Sequence, residues 1–440
     1  MHTLSQLRAG QLAGARRLDL SEGLTEFPRE IFDLADTLEV LNLSGNALTS
    51  LPDDLPRLHR LRVLFCSDNP FTELPAVLGR CARLEMVGFK ANRIREVPGT
   101  ALPPRLRWLI LTDNRIARLP AEIGRCARLQ KLMLAGNLLE DLPAELAACR
   151  QLELLRIAAN RFQGMPAWLL SLPRLAWLAC AGNPMERAVP AGVSSDIAWQ
   201  QLQVEELLGE GASGLIYRAV WQPPASAQVT VAVRVPVPVA VKLFKGEVTS
   251  DGLPQSEMAA SLAAGAHPHL IPVAGRLQGH PEGTPGLVMH FVPATFRTLA
   301  EPPSLASCTR DVYPATTVFT AAAVQRISHG AASALRHLHA QGLLHGDFYA
   351  HNLQCDAAGQ ALLGDMGAAS VLPSDPVAAR ALQRLEVRAF GCLLEELLER
   401  MDENAGMSQR EAWCRLRDDC LQEDTAARPL FADIAARLSD

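Results

Sequence analysis

From Ala15 onward, apolar residues return on a beat of 23 residues, broken once by a unit of 22. Leu38, Leu41, Leu43 and Leu48 are spaced by polar or variable positions, and Leu51-Pro52 closes the unit. The order recurs as Leu61, Leu64, Cys66, Phe71 and Leu74-Pro75, then from Leu84, Leu106, Leu129, Leu152 and, in part, Leu175. No single unit can bury its own apolar edge, so units of this length fold only by stacking into a solenoid. The alternation at the start of each unit predicts a short strand with its leucines pointing into the stack. Asn46, Asn69, Asn92, Asn114, Asn137, Asn160 and Asn183 follow the strands. Their amides can satisfy backbone groups that a bend leaves free. Pro52, Pro75, Pro98, Pro120, Pro143 and Pro166 favour extended backbone on the return side. The first 14 residues are expected to form a helix capping the open end, and residues 1–190 to form the whole solenoid.

The pattern resembles the leucine-rich repeat. Its asparagines are read as structural, and function is sought on the outward strand positions. These carry Val40, Val63, Met86, Trp108, Lys131, Leu154 and Trp177 in one row, and Asn42, Phe65, Gly88, Ile110, Met133, Arg156 and Ala179 in the next. Many are apolar where water would favour polar residues. A partner-binding patch is therefore expected at Phe65, Met86, Trp108, Ile110 and Met133, with a protein partner or substrate on the concave face. The other half of the chain, or a second copy, would be the alternative cover.

The beat ends near residue 190, a polar boundary is read over 191–198, and Trp199 opens a different pattern. Gly209-Glu210-Gly211-Ala212-Ser213-Gly214 leads into Leu215-Ile216-Tyr217, a glycine loop followed by strand-forming residues. Glycines there let backbone amides approach phosphates. A dinucleotide site would want a helix after the glycines, so the strand favours a flap over a triphosphate. Val239-Ala240-Val241-Lys242 places one of only four lysines on the next strand, and Glu257 sits in a short helical stretch beyond it. His345-Gly346-Asp347-Phe348-Tyr349-Ala350-His351-Asn352 is followed by Asp365-Met366-Gly367. That spacing supplies one carboxylate to orient a hydroxyl, and an amide with a second carboxylate to hold metal, as phosphoryl transfer from Mg·ATP requires.

Composition narrows the classes. The chain has 440 residues, 48% hydrophobic and 20% charged, which reads as a folded protein of at least two domains. Residues 1–190 carry 24 basic against 20 acidic side chains, whereas 191–440 carry 18 against 27. Neither half has a nucleic-acid binder's basic character. No apolar run reaches transmembrane length and the start lacks an apolar signal core, so no membrane association and a cytoplasmic location are expected. Ten cysteines include no Cys-x-x-Cys pair. Cys81, Cys126 and Cys149 share one repeat position, held by Leu58 and Leu172 elsewhere, and read as core residues.

Residues 199–440 resemble a eukaryotic-type protein kinase, and the whole chain is similar to bacterial leucine-rich-repeat protein kinases. The motifs fall in the family's order: the glycine loop, Ala240-Val241-Lys242, Glu257, His267-Pro268-His269-Leu270, Leu287-Val288-Met289, the Asp347 loop, Asp365-Met366-Gly367, and Arg428-Pro429. The resemblance implies an α+β two-lobed domain after the α/β solenoid, with ATP and Mg²⁺ as cofactors. It makes Asp347 the base, Lys242 and Glu257 a phosphate-bridging pair, and Asn352 and Asp365 the metal ligands. Residues Gly209 to Gly214 with Ile216 would cover ATP, and Met289, Phe291 and Val292 would line the adenine pocket.

The chain departs from that family in several places. Gly346 stands where many members have Arg, Tyr349 replaces a common Lys or Arg, and Met366 replaces Phe. Ala368 to Leu385 is read as a short segment before the next helix, without Ala-Pro-Glu. Arg428 is then expected to pair with Glu386 or Asp424. A pseudokinase scaffold and a small-molecule phosphotransferase of aminoglycoside-kinase type therefore stand beside the protein-kinase reading.

Overall fold

The computed structural model describes residues 2–187, 196–211, 213–223, 236–246, 248–402 and 407–439. Two compact units emerge: one holds residues 1–178, 182–185 and 305–309, the other 179–181, 186–304 and 310–440.

The first unit opens with α1 (Leu4–Arg8). The Thr3 hydroxyl accepts the Gln6 N–H, and the Gln6 side chain accepts the Thr3 N–H, a reciprocal cap. Eight three-residue strands follow: β1 (Arg17–Asp19), β2 (Val40–Asn42), β3 (Val63–Phe65), β4 (Met86–Gly88), β5 (Trp108–Ile110), β6 (Lys131–Met133), β7 (Leu154–Arg156) and β8 (Trp177–Ala179). They form one sheet in sequence order. Their central residues Leu18, Leu41, Leu64, Leu109, Leu132 and Leu155 are fully buried. The chain returns through short 3₁₀ turns, such as Ala76–Arg80 directly after Pro75.

The expected asparagine ladder is present. Asn114 donates to the carbonyls of Phe89 (2.8 Å), Leu111 (3.1 Å) and Thr112 (3.2 Å), while its Oδ1 accepts the Ile94 N–H at 3.0 Å. Asn69, Asn137 and Asn160 repeat this bonding between neighbouring turns. Each amide thus ties its own bend to the preceding repeat.

Two boundaries differ from the sequence reading. Residues 191–195 of the expected linker lie outside the described residues, but Asp196–Ala198 is a strand, not linker. Ile197 is 1% exposed within the core of the next sheet, and Arg276 bonds both oxygens of Asp196 at 3.1 and 3.3 Å. Leu305–Thr309, read as part of the second domain, belongs to the solenoid unit instead. There Cys308 is fully buried and the Thr309 hydroxyl donates to the Glu153 carboxylate.

The second unit contains β9 (Asp196–Ala198), β10 (Leu202–Glu210), β11 (Gly214–Trp221), β12 (Val237–Phe244), α2 (Pro254–Ala263), β13 (Val273–Gln278) and β14 (Gly286–His290). Their sheet runs β10-β11-β12-β14-β13-β9. Next come β15 (Arg297–Thr298), α3 (Ala321–Ala340), β16 (Leu343–Leu344), β17 (Leu353–Cys355), β18 (Ala361–Leu363) and β19 (Ser370–Val371). The helices α4 (Pro376–Glu399), α5 (Met407–Cys420) and α6 (Phe431–Ser439) complete it. A β-rich part and a helical part follow one another, as expected for two lobes.

Helix α4 starts ten residues earlier than the Glu386 stretch that the sequence reading had used. Asp375 accepts the N–H groups of Val377 and Ala378, Pro376 fits the first turn, and an Ala- and Leu-rich run follows. The segment after Asp365-Met366-Gly367 therefore shrinks to Ala368–Asp375.

Asn114→Ala removes four hydrogen bonds at a buried turn and is expected to destabilise the solenoid by ~1–3 kcal/mol. A urea unfolding midpoint equal to wild type would contradict the ladder's role.

Candidate active site

Strand β12 carries Lys242 inward, and helix α2 presents Glu257 from the facing side. The two form an ion pair, with Lys242 8% and Glu257 4% exposed. Burial pushes the Glu257 carboxyl up and the nearby Asp365 adds to this, whereas Lys242 and the Ser213 side chain pull it down; the net direction is upward. A lone carboxylate in this position would be strongly disfavoured, so each charge depends on the other.

The pair lines a cavity of ≈ 610 Å³. Of the residues singled out in the sequence, Gly209, Ile216, Met289, Phe291 and Val292 line it, and so do Asn352 and Asp365, with Met366 between Asp365 and Gly367. The remaining glycine-loop residues build the flap itself. Gly211 donates its N–H to the Gly214 carbonyl at 2.9 Å, Ser213 accepts the Lys245 N–H at 2.9 Å, and Glu210 pairs with Lys245. A Cβ on Gly214 would stand 2.4 Å from the Leu243 carbonyl, so a side chain there would part β11 from β12. Ala212 lies outside the described residues.

Asp347 and Asn352 are coupled directly. The Asn352 amide nitrogen donates to the Asp347 carbonyl at 2.8 Å and to its carboxylate at 3.1 Å. That orientation leaves Asn352 Oδ1 as the donor atom for a hard cation. Asp365 is exposed, with the left-handed φ of 50°. Its Oδ1 accepts the Gly367 N–H at 3.1 Å. An amide oxygen and a carboxylate suit Mg²⁺, which takes few protein ligands and completes its shell with phosphate and water. The site therefore fits Mg·ATP: Asn352 and Asp365 would hold the ion, which would neutralise charge on the transferring phosphoryl group.

The loop from His345 to Asn352 is held by α4. Gly346 donates its N–H to Glu386 Oε1 at 2.8 Å, and His339 Nε2 lies 2.7 Å from Glu386 Oε2. Gly346 has φ 75°, a conformation that disfavours the arginine found here in many kinases. Glu386 is thus committed to the loop, not to Arg428 as the sequence had suggested. Arg428 is 1% exposed and donates to the carbonyls of Gln422 (2.9 Å) and Arg384 (3.1 Å). Burial lowers its pKa to about 10, against a partly compensating attraction from Asp424, the other expected partner.

Sequence reasoning missed two residues. His351 lines the cavity, with its Nδ1 2.8 Å from Asp311 Oδ1. Burial opposes its protonation, but the Asp311 hydrogen bond and charge, with the charges of Asp347 and Asp365, leave its pKa raised. Position alone could have flagged His351; Asp311, forty residues upstream, lies in no motif.

The solenoid positions read as a partner patch show a mixed result. Met86 is buried, 2% exposed, and is not available on a surface. Phe65, Trp108, Ile110 and Met133 are half-buried. The Phe65 ring lies against Gly88, the Trp108 indole N–H donates to Met133 Sδ at 3.2 Å, and the Lys131 ammonium sits 4.6 Å above the Trp108 ring. Neighbouring side chains thus cover one another where glycine leaves room.

Residues 202–389 match the family model for protein tyrosine and serine/threonine kinases, and residues 37–58 and 104–162 match leucine-rich repeat models. The chain therefore joins a leucine-rich repeat region to a domain of the protein tyrosine and serine/threonine kinase family. A leucine-rich-repeat protein of Leptospira interrogans is similar at 27% identity and a TM-score of 0.34, over 40% of this chain and 51% of that one. No curated protein matches the chain.

Glu396 on α4 supplies a pH test. Burial first, and Asp311 second, push its carboxyl up to about 7, although Arg310, the Tyr313 hydroxyl (3.0 Å) and Arg400 pull it down. Between its ordinary value of 4.5 and about 7 the folded protein keeps a proton that the unfolded chain releases. Stability should therefore fall as pH rises through that window, by up to ~3 kcal/mol from this group. Glu396→Gln should flatten the decline, measured as urea midpoints from about pH 4.5 to about pH 8. An unchanged slope would remove Glu396 as its source.

Proposed function

We propose that this chain is a Mg·ATP-dependent protein kinase that transfers the γ-phosphoryl group to a serine or threonine hydroxyl. The buried Lys242–Glu257 pair carries the reading: a charge held so far from water needs a task, and here it faces the same cavity as Asn352 and Asp365. Asp347 orients the acceptor hydroxyl and takes its proton, with its carboxylate aimed by Asn352. Lys242 fixes the phosphates, and Asn352 and Asp365 hold Mg²⁺.

The concave solenoid face, with Phe65, Trp108, Ile110 and Met133, is the docking surface for a protein substrate or partner in this reading. Docking there offsets the eight-residue segment Ala368–Asp375, which leaves little platform for a peptide, by raising effective concentration. The location proposed is cytoplasmic; no helix among the described residues is long and apolar enough to cross a membrane.

That same short segment, with Gly346 in the left-handed region, favours two other readings: a nucleotide-binding scaffold and a small-molecule phosphotransferase. Purified protein with Mg²⁺ and labelled ATP separates the three. Incorporation into itself or a generic protein, reduced at least ~100-fold in Lys242→Met and in Asp347→Ala, supports the kinase. Transfer only to a small alcohol supports the transferase, and nucleotide binding without transfer supports the scaffold.

A further inference from the structure

Asp311 is a carboxylate with no side-chain exposure to water. Burying such a charge costs several kcal/mol unless its oxygens are well used. Both are spent on one residue: Oδ2 accepts the His351 backbone N–H at 2.9 Å, and Oδ1 lies 2.8 Å from His351 Nδ1. His351 directly precedes Asn352, whose amide aims Asp347. A grip on the backbone and ring of His351 therefore fixes where Asn352 and Asp347 stand.

Asp311 is itself held from the residues that follow it: Val312 exchanges two backbone hydrogen bonds with Glu301, each 2.9 Å, and the Tyr313 hydroxyl donates to Glu396 at 3.0 Å.

We propose that Asp311 is a positioning residue for the catalytic loop: by holding both the backbone and the ring of His351 it sets where Asn352 and Asp347 stand. The proposal rests on the kinase reading of the cleft. Its role is geometric: Asp311 delivers two acceptor atoms to His351, and misplacement of a catalytic group by about 1 Å can lower turnover by up to ~100-fold.

The test uses the full chain with Asp311→Asn and Asp311→Ala. Asp311→Asn keeps the shape and one acceptor oxygen; Asp311→Ala removes both. Asp311→Asn should lower kcat about tenfold and Asp311→Ala at least as far, with the KM for ATP within about twofold of wild type. Hydrogen exchange of the catalytic-loop amides, His351 above all, should quicken in both. Absence of transfer by wild type would defeat the kinase reading, and amide exchange would then still decide the positioning role. Unchanged kcat and exchange in both variants would overturn the proposal, as would a purely KM effect.

Discussion

The contact between Lys242 and Glu257 is the constraint around which the second unit is organised. Neither charge would be tolerable alone at this depth, since breaking such a pair leaves an uncompensated ion costing about 3–5 kcal/mol. Strand β12 and helix α2 must therefore approach, and that approach closes part of the cavity. Glycine at 214 keeps β11 tight on β12, which brings the flap over the same space. The pair joins a sheet and a helix into half of the candidate site.

The other half is set by hydrogen bonds to backbone. Glu386 of α4 holds the Gly346 amide, Asp311 holds the His351 amide, and Asn352 reaches back to the Asp347 carbonyl. Two side chains from separate stretches and one from within thus fix a loop of eight residues that has little regular structure. Helix α4 can do this because it begins early, at the Asp375 cap, soon after the strand β19 that pairs with β16. The same early start leaves only Ala368–Asp375 between Asp365-Met366-Gly367 and the helix, so the held loop and the short segment beside it have one cause.

The repeat unit works by a different principle. Its strands are only three residues long, and stability comes from repetition of a buried leucine and an asparagine that bonds across to the neighbouring turn. Such a stack is additive from repeat to repeat, so its surface can vary without loss of the fold. That freedom shows where Met86 is buried while Phe65, Trp108, Ile110 and Met133 stay partly open. It shows again at Glu153, a buried carboxylate that receives Thr309.

By itself the sequence determined what depends on local spacing. The 23-residue period demanded a stacked solenoid, because each apolar edge needs a neighbour. The order from Gly209 through Lys242, Asp347, Asn352 and Asp365 pointed to one shared cleft, because phosphoryl transfer needs those groups together. Only the tertiary structure decided which distant residues complete these pieces. Asp196–Ala198 became an edge strand because Ile197 found a core, α4 began at Pro376 because Asp375 capped it, and Glu386 turned to the catalytic loop instead of Arg428. Asp311 and Thr309 carry no local signal at all. Their roles come from partners forty and 156 positions away, and such pairings are fixed by how the chain packs, not by periodicity or motif.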